Sequence, residues 1–452
     1  MLKQKISKFI YSGHRRSVKA KKNILASLGI KGISIIINLA YVPLLLDYLG
    51  KDEYGIWLTL TSIVSWFSFF DVGLGNGLRN NFAIAKANGD DQLARIYVST
   101  TYAILTLVFI GVLLFFYLIA PWIDWNAVFN TTTVSGNSLL NLSLIVFTFF
   151  ILRFVVQLIG VVLLADQRPS LNSLFNLIAN IICFITIYLL KIASAGSLIL
   201  LGFVLSSMPV LVLTVASLYF YNTSYKKYAP SLKWIRFRES KKLLNLGIKF
   251  FVLQISGIVM YSTTNFLITQ FVSPADVAVY NVSYKMFSVF TMLYGIILLP
   301  MWSATTEAFA ICDFKWIRNV VFKMQKLGVI LVLGILSMVI FSNFIYHLWI
   351  GDRLVIPMSV TVCVAMSSVM YVMTGVYVAF QNGVGKIKLT LYFVIIQTIL
   401  YLPIAYCLAK ICAWGIIGIL LAGIVCELPV KVIQVIQYRK LINGKALGLW
   451  NQ

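Results

Sequence analysis

Hydrophobic residues in this chain come in long unbroken runs, and polar residues gather between the runs. A membrane-crossing helix needs about 20 apolar residues. Twelve stretches reach that length: 27–49, 54–76, 97–120, 138–165, 170–190, 196–221, 247–271, 278–302, 324–348, 355–380, 388–409 and 414–438. The pattern predicts an all-α polytopic membrane protein with 12 transmembrane helices.

Composition agrees with that reading. Of 452 residues, 60% are apolar and 11% are charged, against roughly 25% charged in a soluble domain. The formal charge of +23 would suit a nucleic-acid partner, but its distribution argues otherwise. With both termini inside, the inner segments together with the adjoining inner parts of spans (Lys249, Lys326, Lys388, Lys431) hold 30 of the 37 Lys and Arg, and four lie outside (Lys51, Lys191, Arg353, Lys410). Three others fall within spans: Lys31, Arg153 and Lys285. Such an excess of inner cations is the orientation signal of membrane proteins, so we expect an N-in, C-in chain and no nucleic-acid partner.

The charges also divide the chain. A basic cytoplasmic tail (1–26) has no signal-peptide apolar region directly behind it, so the first span should stay in the mature protein. A six-helix bundle (27–221), a basic cytoplasmic linker (222–246), a second six-helix bundle (247–438) and a cytoplasmic tail (439–452) follow. The linker carries Lys226, Lys227, Lys233, Arg236, Arg238, Lys241 and Lys242. It could bind anionic lipid heads, or serve only as topology determinant and tether. The longest outer loop, 121–137, has no basic residue. LGIK at 28–31 recurs at 246–249, and an offset of 223 pairs Glu53 with Asp276, Asp90 with Asp313 and Arg95 with Arg318. Both halves start from the cytoplasm, so the repeats would be parallel, as in transporters that rock two bundles about a central site. A shared rhythm of spans without common ancestry is the alternative.

No catalytic or metal constellation is visible. The two His are His14 and His347, and the six Cys contain no CxxC pair, so they read as reduced packing residues. GLGNG at 73–77 lacks the spacing of a phosphate-binding loop. The informative residues are charges deep in apolar runs. Arg153 lies near the middle of the fourth span, Lys285 about 10 Å below the outer end of the eighth, and Glu427 mid-span before Pro429. An ionisable group in hydrocarbon normally faces a cavity or a partner. Arg153 and Lys285 therefore predict a cationic, water-filled cavity that draws in an anionic substrate, or else internal pairs with Glu427. Lys31, within a turn or two of the cytoplasmic face, is a weaker lumen candidate because it can snorkel. The segment FFDVGLGNGLRNN (69–81) should end the second span and start an inner loop, with Asp71 near the interface. Gly73, Gly75 and Gly77 loosen the helix there, and by the 223 offset Gly77 corresponds to Pro300. A hinge or gate at the inner mouth is one reading of these breaks, and a plain helix terminus is the other.

The run 52–103, above all YGIW (54–57) and FFDVGLGNGLRN (69–80), resembles the first-half signature of polysaccharide-repeat flippases. These are the O-antigen and capsular unit transporters of the multidrug/oligosaccharidyl-lipid/polysaccharide exporter superfamily. The resemblance implies a non-enzymatic V-shaped pair of bundles in the cell inner membrane. It would move an undecaprenyl-pyrophosphate-linked oligosaccharide from the cytoplasmic to the periplasmic leaflet by alternating access. It also implies a cationic lumen, no bound cofactor, coupling to a proton or ion gradient with Asp71 or Glu427 as candidates, and polysaccharide polymerase and chain-length partners. Export of another amphiphile, such as a drug or a peptidoglycan lipid precursor, is one alternative. An O-antigen polymerase is another, although loop 121–137 is small for it.

Overall fold

A computed structural model describes residues 15–67, 74–166, 168–239 and 262–451. In the first half, α1 (Arg15–Trp66), α2 (Leu74–Ala87), α3 (Asp91–Ile119) and a short α4 (Trp125–Phe129) lead to α5 (Gly136–Val156). They are followed by α6 (Leu158–Ala165), α7 (Pro169–Ala193) and α8 (Leu198–Asn222). The second half holds α9 (262–271), α10 (Pro274–Ala310), α11 (Phe314–Ile340), α12 (Ser342–Ile350), α13 (Met358–Val384), α14 (Lys388–Tyr406) and α15 (Gly415–Ile442). No strand occurs among the described residues.

Ten helices among the described residues are long and apolar enough to cross a membrane, against the twelve spans expected. Two causes account for the difference. The first and second spans run together in α1, which bends at Gly50 where φ is +76°. That left-handed value favours glycine, which has no Cβ. The seventh span, 247–271, falls mostly outside the described residues. Side chains such as Leu114, Phe115 and Leu118 on the C-terminal half of α3, Trp122 in the turn just after it, and Ile330, Leu333 and Ile340 on α11, are exposed. Apolar surface on this scale is stable only with lipid as its solvent; the chain is a multi-pass membrane protein.

The described part of the expected inner breaks is helical, and residues 68–73 lie outside the described residues. Residues 74–81, including Gly75 and Gly77, are helical, and α2 continues to Ala87 before a turn at 88–90. Each helical glycine costs about 1 kcal/mol. The burial of Leu74, Leu78, Phe82 and Ala85 as α2 packs on α3 and α6 outweighs that cost. Likewise α10 runs through position 300 as one helix. In membrane helices neighbouring groups can compensate the bond that proline removes, and Pro209, Pro403 and Pro429 also lie inside helices.

Contacts gather into two compact units. The first comprises the described residues up to Leu49, then 66–128 and those of 132–251; α5 packs against α8, and α7 against α8. The second comprises 50–65, 129–131 and the described residues from 262 onward, with α10 against α13 and α15 against α13 and α14. Residues 50–65 of α1, within the 27–221 stretch of the sequence division, group with the second unit. The 223-residue offset marks positions with matching local roles. Asp90 caps α3 by accepting from the Leu93 N–H, and Asp313 caps α11 by accepting from Trp316. Arg95 donates to the Ala229 carbonyl beyond α8, and Arg318 to the Ile442 carbonyl at the end of α15.

The two segments expected as tether and tail are docked. Residues 226–239 form short 3-10 turns held on the first turns of α3. Beyond α15, the Trp450 carbonyl accepts from Gln437 and the Asn451 carbonyl from Lys386.

Candidate functional site

Lys285 lies three turns into α10, half-buried in the second unit. Its ammonium donates to the Tyr54 hydroxyl at 3.3 Å and stands 5.9 Å from that ring's centroid. Tyr54 is fully buried. Among the described residues Lys285 has no carboxylate partner, so its charge is oriented by a neutral group and left uncancelled. Such a cation can still receive an anion.

A ladder of buried polar groups fastens the Tyr54 segment in place. Thr59 and Thr269 hydroxyls are 2.6 Å apart, Asn265 donates to Ser62 at 2.7 Å, and Asn281 donates to Asn265 at 2.8 Å. Asn130 donates to the Thr269 carbonyl at 2.9 Å. Close approach requires Gly55, where an added Cβ would lie 1.7 Å from the Pro274 carbonyl oxygen. The polar residues of these apolar helices therefore satisfy one another.

Arg153 belongs to the first unit. The span expected over 138–165 is interrupted at Gln157, between α5 and α6, and Arg153 stands in the last turn of α5. A cation there faces the negative end of the helix dipole. The arginine is exposed, next to Cys183 of α7, and has no hydrogen bond or ion pair from its side chain among the described residues. Cys183 is packed beside Tyr41, whose hydroxyl donates to the Asn180 carbonyl.

Glu427 pairs with neither cation among the described residues. It lines a cavity of about 440 Å³ inside the second unit, with Tyr280, Tyr284, Tyr371, Tyr401, Thr264, Ser367 and Ser368. The Tyr280 and Tyr284 rings are 5.9 Å apart, and Thr264 and Tyr401 hydroxyls 2.9 Å apart. No Lys or Arg among the described residues lines this space. Its chemistry suits hydroxyl-rich or cationic groups and is unlike that around Lys285. Lys31 is exposed on α1. Asp71 and Gly73 lie outside the described residues.

Beyond the α6 end, Asp166 gathers Lys86, Arg168 at 3.3 Å and the Tyr225 hydroxyl at 2.5 Å. Burial alone would raise the Asp166 carboxyl, but hydrogen bonds from Lys86 and Tyr225 and the charges of Lys86 and Arg168 hold it below the usual range. Burial, reinforced by Asp91, pushes the Tyr228 hydroxyl up to about 12.

Sequence reading found the three deep charges but not Tyr54 as the partner of Lys285, the Gln157 interruption or the ladder. The available signal was polar residues (Thr59, Ser62, Asn265, Thr269, Asn281) inside otherwise apolar spans.

With this geometry in hand, comparison with known proteins is informative. A family model described as polysaccharide biosynthesis protein matches residues 20–304. A Yersinia pseudotuberculosis protein named for O-antigen export is 24% identical over 370 residues, covering 80% of this chain and 82% of that protein. A Salmonella typhi protein named for O-antigen transport is 22% identical over 336 residues, 74% of this chain and 75% of that one. Among solved structures, an inward-facing multidrug resistance MATE family transporter of the MOP superfamily superposes with a TM-score of 0.73 at 14% identity. The match covers 93% of this chain and 98% of that one. The lipid II flippase MurJ, inward closed, gives a TM-score of 0.66 at 14% identity, over 93% and 89% of the two chains. These likenesses establish the fold.

Proposed function

This chain belongs to the polysaccharide biosynthesis protein family, and from that premise we propose that it is a flippase for lipid-linked oligosaccharide. Its substrate is an undecaprenyl-pyrophosphate-linked repeat unit of O-antigen or capsule, carried from the cytoplasmic to the periplasmic leaflet of the inner membrane. The observation that carries this reading is Lys285, a deep cation oriented by Tyr54 and unpaired with any described carboxylate. Arg153, at the interrupted helix of the other unit, supports it. The names of the O-antigen relatives favour the same cargo.

A sugar pyrophosphate cannot cross hydrocarbon unaided, because its charges and hydroxyls would lose their water. Cationic side chains such as Lys285 and Arg153 can replace that water for the pyrophosphate while the polyprenyl tail stays in the bilayer. Transport proceeds by alternating access of two six-helix bundles, 27–221 and 247–438, with the segment bearing Tyr54 held by the polar ladder to the second unit. Glu427, in its tyrosine-lined cavity, is one candidate for coupling to a proton or ion gradient, with Asp71 as the other. A polysaccharide polymerase and chain-length factor would act on the delivered unit.

The tyrosine and carboxylate cavity favours a second reading, export of a cationic amphiphile. Deleting the gene distinguishes the two. On the flippase reading, lipid-linked units accumulate on the cytoplasmic leaflet while their synthesis continues. Normal arrival of units in the periplasm, with new sensitivity to cationic drugs, would favour the second reading.

A further inference from the structure

The basic segment after α8 is a fixed strap. Asp91 accepts from Lys227 at 3.0 Å and from the Tyr228 hydroxyl at 2.6 Å. Arg95 donates to the Ala229 carbonyl at 3.0 Å and stacks over Trp234 at 5.6 Å. The Ser231 N–H donates to the Ser99 hydroxyl at 3.1 Å, and the Arg236 N–H to the Thr100 hydroxyl at 2.9 Å. Six residues of strap are thereby laid along three turns of α3.

The depth of those turns follows from helix geometry. About 35 Å of helix separates Ser99 from the exposed Trp122, whereas the hydrocarbon core is about 30 Å thick. If Trp122 marks one interface, the strap lies at headgroup depth on the other. Its outward side chains are of two kinds. Leu232 is 87% exposed and Phe237 55% exposed, an arrangement that water would disfavour and acyl chains would stabilise. Beside them Lys226, Lys233 and Arg238 are exposed and make no side-chain hydrogen bond or ion pair among the described residues. Arg236 is engaged with the strap's own carbonyls, at Lys233 and Ile235. A segment that served only to orient the chain would need the cations but not the two bare apolar side chains between them.

We propose that residues 226–238 form a docking surface for the anionic phospholipid leaflet, with Lys226, Lys233 and Arg238 on the headgroups and Leu232 and Phe237 among the acyl chains. This surface is separate from the transport site and does not depend on what is transported. Its partner is a lipid of net negative charge. Binding it pins the strap, and through Ser99 and Thr100 the inner end of α3, to the membrane surface.

The test uses the full-length protein in detergent, incubated with phosphatidylglycerol or phosphatidylcholine, and counts retained lipids by native mass spectrometry. Wild type should retain phosphatidylglycerol preferentially. Lys226→Gln, Lys233→Gln and Arg238→Gln together should weaken that retention, by about fivefold for each cation removed. The charge-preserving set Lys226→Arg, Lys233→Arg and Arg238→Lys should keep it. Leu232→Ser with Phe237→Ser, which leaves the charge unchanged, should weaken it as well. Melting temperatures are compared throughout, so that loss of fold is recognised. Undiminished retention by the folded Gln variant would overturn the proposal. Loss in the Gln variant but none in the Ser variant would reduce the strap to a diffuse charge patch and also overturn it. Displacement of the lipid by inorganic pyrophosphate would overturn it in favour of a soluble phosphate ligand.

Discussion

At the scale of single residues, a cation in an apolar helix is informative through what it does not touch. Lys285 has a tyrosine hydroxyl as its polar partner, and Arg153 has no side-chain hydrogen bond or ion pair among the described residues. A charge-assisted hydrogen bond to substrate contributes about 1.5–3 kcal/mol. Lys285→Ala and Arg153→Ala should therefore each slow transport by about 10- to 100-fold in reconstituted vesicles, with membrane insertion unchanged. Full transport by the double variant would remove both from the site. A second residue-level prediction concerns Asp166, whose folded pKa lies below its unfolded value. The stabilisation it gives is complete above the ordinary carboxylate range of about 4 and is lost as pH falls through the lower folded value. Its partners are about a third exposed, so Asp166→Asn should cost only about 1 kcal/mol. The difference in melting temperature from wild type should be present at neutral pH and vanish in acid; a difference that persists there would refute the assignment. Arg153 and Lys285 were legible in the sequence because charge stands out against an apolar run. Tyr54 was legible only within the YGIW motif and not as the partner of Lys285, which lies 231 positions away.

At the scale of elements, the sequence located the spans but not their joints. Glycines at 75 and 77 and a proline at 300 looked like breaks, yet packing keeps both regions helical. Among the described residues a left-handed φ bends α1 at Gly50, and a single right-handed turn residue, Gln157, separates α5 from α6. Past Gly50 the chain enters the ladder with α9 and α10. That ladder lies inside the second unit, so Thr59→Cys with Thr269→Cys in a background freed of native cysteines should leave transport unimpeded on oxidation. Their hydroxyls, 2.6 Å apart, are close to disulfide reach. Arrest by the cross-link, reversed on reduction, would contradict a static brace. Gly55→Ala places a methyl group against the Pro274 carbonyl and should loosen the same contact. Accelerated thiol labelling of a single cysteine at position 269 would report this; an unchanged rate would contradict it.

At the scale of the whole molecule, long apolar runs and the inner excess of cations were enough to announce a multi-pass helical membrane protein. The grouping of residues into compact units was not legible, because residues 50–65 pack through long-range contacts that no local pattern encodes. The tyrosine-lined cavity was hidden for the same reason: its walls come from five helices between positions 264 and 427. The central claim is movement of a sugar pyrophosphate on a lipid carrier past Lys285 and Arg153. Its most direct test is leaflet exchange of a fluorescent polyprenyl-pyrophosphate oligosaccharide in vesicles holding the purified full-length protein, read by quenching from outside. The account predicts exchange well above that of protein-free vesicles, lost in the Arg153→Ala, Lys285→Ala double variant. Exchange no faster than in protein-free vesicles under any imposed ion gradient, or equal in the double variant and wild type, would contradict it.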